Sequence, residues 1–137
     1  MRTTIGNFII DRLKAIGISE VIGVPGDFNL NFLEQIRDAD GIRFVGSCNE
    51  LNAAYATDGY ARQRGVGALL TTYGVGELSA LNGIAGARAE GIPVISLAGA
   101  PRNTRLSTAG RCTTRLPMAT STTCWTPSAR SPQYARG

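Results

Sequence analysis

Apolar residues follow two rhythms along the first 101 positions. Ile5, Phe8, Ile9, Leu13 and Ile16 recur every three or four positions, which predicts a helix that Thr3 or Thr4 can cap and Gly17 ends. A short apolar run at 20–24, stopped by Pro25-Gly26, predicts a strand. The helical rhythm returns at 29–38, with Leu30, Phe32, Leu33 and Ile36 expected to face inward. Strands at 42–45, 67–71 and 93–98 then alternate with helices at 49–64 and 76–88. Strands separated by helices of about 10–15 residues predict an α/β domain: a parallel sheet with right-handed crossovers and helices on both faces. In such sheets ligands sit beyond the carboxyl ends of the strands. Pro25, Gly26 and Asp27, then Glu50, then Thr72, Tyr73 and Gly74 all fall just after or at the end of predicted strands.

The rhythm stops after Pro101. Residues 102–137 contain 8 Thr, 4 Ser, 3 Pro and 6 Arg, with no Ile, Val or Phe. Such a composition lacks the apolar surface to offset its own ordering entropy, so a low-order tail is expected behind a domain spanning 1–101. Charge divides at the same place. The formal +4 of the whole is −2 over 1–101 and +6 over 102–137. The tail arginines are too scattered to track a row of phosphates, so nucleic-acid binding is not expected. No apolar run approaches the roughly 20 residues that cross a bilayer, so no membrane contact is expected either. Three widely spaced cysteines (Cys48, Cys112, Cys124) and no histidine give no metal-ligand spacing; they read as reduced thiols of a cytoplasmic protein.

Chemistry concentrates in three segments. Glu50 stands between an apolar strand and a helix with small residues at Ala53, Ala54 and Ala56, which let another element pack close. The plain reading of Glu50 is an acidic charge at the positive end of its helix. Asp27 after Pro25-Gly26 reads equally as a turn former or a functional carboxylate. Gly74-Val75-Gly76 lacks the third glycine of a dinucleotide fingerprint and reads as a tight strand-to-helix turn, with Glu77 as a first-turn charge.

Taken whole, the segment from Cys48-Asn49-Glu50-Leu51-Asn52-Ala53-Ala54 to Asp58-Gly59-Tyr60-Ala61-Arg62 closely resembles the cofactor-glutamate segment of thiamine-diphosphate-dependent 2-oxo acid decarboxylases, the pyruvate and indolepyruvate decarboxylase group. Val24-Pro25-Gly26-Asp27-Phe28-Asn29-Leu30 is similar to that group's first strand-to-helix loop, and Thr71-Thr72-Tyr73-Gly74-Val75-Gly76-Glu77-Leu78 to its third. Gly26-Asp27-Phe28 and Tyr73-Gly74-Val75-Gly76-Glu77 favour the decarboxylases over the related acetolactate synthases.

The resemblance implies a set of roles. Glu50 would hydrogen-bond the pyrimidine ring of thiamine diphosphate and exchange a proton with it. Asp27 would handle protons near the substrate. Pro25, Gly26, Thr72, Tyr73 and Gly74 would line the cofactor. It also implies a homo-oligomer with sites between subunits, and a C-terminal domain holding the diphosphate and magnesium; no segment here matches that domain, so the chain is expected to be an inactive N-terminal fragment. Two other readings stay open: a non-catalytic remnant, and a binding module that uses the basic tail.

The tail carries a further sign. Read one frame over, the codons permitted for Arg111 to Trp125 can spell Leu-His-His-Thr-Leu-Ala-Asp-Gly-Asn-Phe-Asp-Asn-Val-Leu. That peptide resembles the His-His segment of the same decarboxylases. It implies a frameshift near Arg102, with 102–137 translated out of frame.

Overall fold

The computed structural model describes residues 4–101, and the expected low-order tail at 102–137 lies outside the described residues. Eight elements alternate: α1 (Ile5–Ala15), β1 (Glu20–Gly23), α2 (Leu30–Arg37), β2 (Arg43–Gly46), α3 (Glu50–Arg64), β3 (Gly67–Thr72), α4 (Val75–Ala89) and β4 (Val94–Gly99). Capping residues set two of the helix starts. Thr4 Oγ1 accepts the N–H of Asn7 at 3.1 Å, and Asn49 Oδ1 accepts the N–H of Asn52 at 2.9 Å, so each satisfies a donor that the first helical turn leaves unpaired.

The strands form one parallel sheet in the order β2-β1-β3-β4. Successive strand residues face opposite sides, and the core accordingly splits in two. Val21, Ala68 and Leu70 join Ile10 and Leu13 of α1 and Ile36 of α2 on one face. Ile22 and Leu69 join Ala53 and Ala54 of α3 and Ala80 of α4 on the other. The predicted α/β sheet with helices on both faces is therefore observed.

The two faces are packed differently. On the α3/α4 side small residues let the helices nearly touch: a Cβ added at Gly83 would stand 2.5 Å from Ala54 Cβ. On the α1/α2 side the apolar surplus predicted from periodicity is only partly used. Ile10 and Leu13 are buried, but Ile5, Phe8, Ile16 and Leu30 are exposed, Ile5 at 81%. Ile5 and Ile9 border an open cavity of about 320 Å³ against Phe32, Leu70 and Leu97.

Candidate functional site

Parallel strands end at the same side, so the loops after β2, β1 and β3 emerge next to one another. All the residues singled out from the sequence lie on this rim. Glu50 is the first residue of α3 and is half-buried. Asn49 already caps the helix through its side chain, which leaves the Glu50 carboxylate free to reach elsewhere. It reaches towards α4: Glu50 Oε1 lies 3.3 Å from the point where a Gly76 Cβ would be. As the acidic residue of its first turn, Glu50 also gains from the positive helix end, as its plain reading expects.

The β1–α2 loop is held from inside by Asn29, which is 1% exposed. Its Oδ1 accepts the N–H of Gly26 at 2.9 Å, its Nδ2 donates to Val24 O at 3.0 Å, and its own N–H donates to Gly26 O at 2.9 Å. Asn29, rather than Asp27, thus makes the turn. Asp27 and Pro25 stand exposed on its outer side. Phe28 meets Tyr73 edge to face, with ring centroids 4.9 Å apart and planes at 82°, which ties this loop to the one after β3.

The β3–α4 junction is tighter. The N–H of Tyr73 donates to Gly99 O at 2.9 Å, extending the β3–β4 ladder into the turn. Gly74 then takes φ 73°, a left-handed conformation suited to glycine, and its N–H donates to Glu77 Oε2 at 3.1 Å. Glu77 is thereby a capping charge of α4. Thr72 is wedged between two glycines. A Cβ at Gly26 would meet its Cγ2 at 2.5 Å, and one at Gly76 would meet its Oγ1 at 2.7 Å. Beside it, Thr71 Oγ1 is buried with no hydrogen-bond partner among the described residues. The leftover hydroxyl, the Glu50 carboxylate and the glycine-faced first turn of α4 form one polar corner.

The sequence assigned no site role to three of these residues. Asn29 had a readable signal, an Asn immediately before a helix and after Pro-Gly-Asp. Gly76 and Thr71 had none, because close approach and an orphaned hydroxyl exist only once β3, α3 and α4 are assembled.

The family described as thiamine pyrophosphate enzyme, N-terminal TPP binding domain, matches residues 3–120. The chain belongs to this family. Pyruvate decarboxylase of Hanseniaspora uvarum is 53% identical over 98 residues, 72% of this chain. Alpha-keto-acid decarboxylase of Mycobacterium ulcerans (strain Agy99) is 57% identical over the same length. This chain spans only 17% of the length of either relative. The X-ray structure of an enzyme from Mycobacterium smegmatis, described as thiamin diphosphate-dependent, superposes with a TM-score of 0.71 at 23% identity, over 78% of this chain and 20% of that one. That last likeness is one of fold.

The chemistry of the rim is compatible with the pyrimidine end of thiamine diphosphate. A carboxylate able to exchange a proton, an unpartnered buried hydroxyl and a wall stripped of side chains suit the edge of a flat nitrogen heterocycle. Among the described residues no group of three His, Cys, Asp or Glu could hold a metal ion. No described helix is long and apolar enough to cross a membrane.

Proposed function

We propose that this chain is the pyrimidine-binding part of a thiamine-diphosphate-dependent, non-oxidative decarboxylase acting on a 2-oxo acid, either pyruvate or an aromatic 2-oxo acid such as indolepyruvate, to give an aldehyde and carbon dioxide. The observation that carries the proposal is the Glu50 carboxylate, directed from the start of α3 at the glycine-faced first turn of α4. Bound thiamine diphosphate would supply the electron sink for the carbanion left when carbon dioxide departs. The task of this chain is to seat the pyrimidine and manage its proton. Glu50 shares a proton with a ring nitrogen, a role that requires hydrogen-bond reach and an exchangeable carboxyl. Asp27, exposed on the adjacent loop, serves proton transfer nearer the substrate. Pro25, Gly26, Thr72, Tyr73 and Gly74 form the wall that fixes the ring.

Diphosphate and magnesium would be held by a separate domain, contributed across a subunit boundary in a cytoplasmic homo-oligomer. On this reading the 137-residue chain is an inactive half-site, and 102–137 are an out-of-frame remnant of the segment that bears the two histidines. Sequencing the gene tests the frame: a shifted frame without the His-His peptide ends that part of the proposal.

Carbon dioxide release tests the rest in three proteins: the 137-residue chain, a protein with the frame restored and the downstream domains present, and its Glu50→Gln variant. The first is expected to be inactive even with thiamine diphosphate and magnesium. The second is expected to be active, and the third slower by about 10²–10⁴-fold, the effect of losing a proton-transfer group. Activity in the short chain overturns the half-site reading; an unimpaired Gln variant overturns the role of Glu50.

A further inference from the structure

We infer that Gly76 is a positioning residue for Glu50, acting with Thr72 and Gly26 as one steric unit. Gly76 is buried in the first turn of α4, facing the start of α3. The point where its Cβ would stand is 3.3 Å from Glu50 Oε1 and 2.7 Å from Thr72 Oγ1. The first distance is tighter than ordinary van der Waals contact and the second is an overlap. Thr72 has no easy retreat, because its Cγ2 already occupies the place of a Gly26 Cβ at 2.5 Å. A methyl at position 76 must therefore displace the Glu50 carboxylate, the Thr72 side chain, or both. Interiors packed at crystal density transmit such displacements rather than absorb them.

Gly76 differs from the glycines of turns. Its φ is not positive, so backbone freedom does not explain it. Gly86, on the same helix, has nothing within 4 Å of its missing Cβ. The contrast isolates a requirement at 76 for space shared by Thr72 Oγ1, at 2.7 Å, and the Glu50 carboxylate, at 3.3 Å. The consequence for catalysis rests on the role proposed for Glu50; the positional claim does not.

The test uses the 137-residue chain with glutamate carboxyl carbons labelled with carbon-13, and the Glu50 resonance assigned by its loss in Glu50→Gln. Gly76→Ala is expected to move the Glu50 resonance beyond its line width while those of Glu20, Glu34 and Glu90 stay in place. Gly86→Ala is expected to move none of them. Should Gly76→Ala fail to fold, the same spectrum is read in Thr72→Ala/Gly76→Ala, where the overlap with Thr72 is gone and the 3.3 Å approach to Glu50 remains. An unmoved Glu50 resonance in a folded variant overturns the inference, and so does loss of the fold in both variants, which would make Gly76 a packing residue. Neither outcome depends on the rate of Glu50→Gln, so failure here is distinct from failure of the proposed function.

Discussion

Asn29→Ala removes the internal brace of the β1–α2 loop, and its cost can be worked from the hydrogen bonds it breaks. The side chain serves two backbone groups, the N–H of Gly26 and the carbonyl of Val24, at 2.9 and 3.0 Å. Alanine serves neither. A buried polar group left unpaired costs about 1–3 kcal/mol, and water reaches these half-buried positions in part, so the loss comes to about 2–3 kcal/mol. With a urea dependence of about 1–3 kcal/mol per molar for small domains, the unfolding midpoint falls by about 0.7–3 M. Far-UV circular dichroism against urea is the assay. Asn31→Ala is the control; Asn31 is exposed on α2 and its change stays within about 0.5 kcal/mol, as surface substitutions do. A midpoint for Asn29→Ala equal to that of the control refutes the reasoning, since it would mean the loop holds without its brace.

Two helix glycines respond in opposite directions to the same substitution: Gly86→Ala stabilises by up to about 1 kcal/mol through helix propensity, whereas Gly83→Ala, whose Cβ would stand 2.5 Å from Ala54 Cβ, destabilises because overpacking costs about 1–3 kcal/mol. Urea midpoints of the same sign would contradict the α3–α4 packing. At the opposite end of the sheet, partial burial pushes the Tyr60 phenol up, but hydrogen bonds from Ser19 and Arg64 and the charge of Arg64 together outweigh it and leave the group below its ordinary value of 10.0. A depressed folded value adds stability above the ordinary tyrosine range, and that gain is lost as pH falls through the folded value. Tyr60→Phe is therefore expected to remove a phenolate phase lying below 10.0 in an ultraviolet titration and to lower alkaline stability; removal of a phase above 10.0 instead would contradict the assignment.

All eight elements were legible because each is short and bounded by Gly or Pro, although α3 and α4 bury small residues rather than a regular apolar stripe. The errors lie at edges. Pro93 cannot donate to a ladder, yet its carbonyl accepts the N–H of Gly67 at 3.1 Å, so pairing begins beside it and β4 starts at Val94. Ile42 is buried as the sequence implies but precedes β2 rather than opening it. Periodicity also overstated the core of α1: it reveals which residues share a helix face, not how much of that face a neighbour covers. Ile5 and Phe8 remain exposed on that account. At the rim, Pro25, Gly26, Asp27, Glu50, Thr72, Tyr73 and Gly74 were legible as loop or strand-end positions, and their gathering at one end followed from parallel strands. Which of them touch was not legible. The edge-to-face contact of Phe28 with Tyr73 and the approach of Glu50 to Gly76 depend on side-chain directions set by packing.

The wedging of Thr72 bears on how this sequence can drift. Positions 26, 72 and 76 share one small volume, so substitutions there cannot act independently. A methyl at 26 or at 76 is harmful while threonine stands between them and becomes more tolerable once position 72 has shrunk to alanine. A route of single steps through this corner must therefore begin at 72, giving up the methyl before Gly26 can change and the hydroxyl before Gly76 can. The order of permitted changes is thus imposed by geometry, through epistasis between the loop after β1 and the junction of β3 with α4.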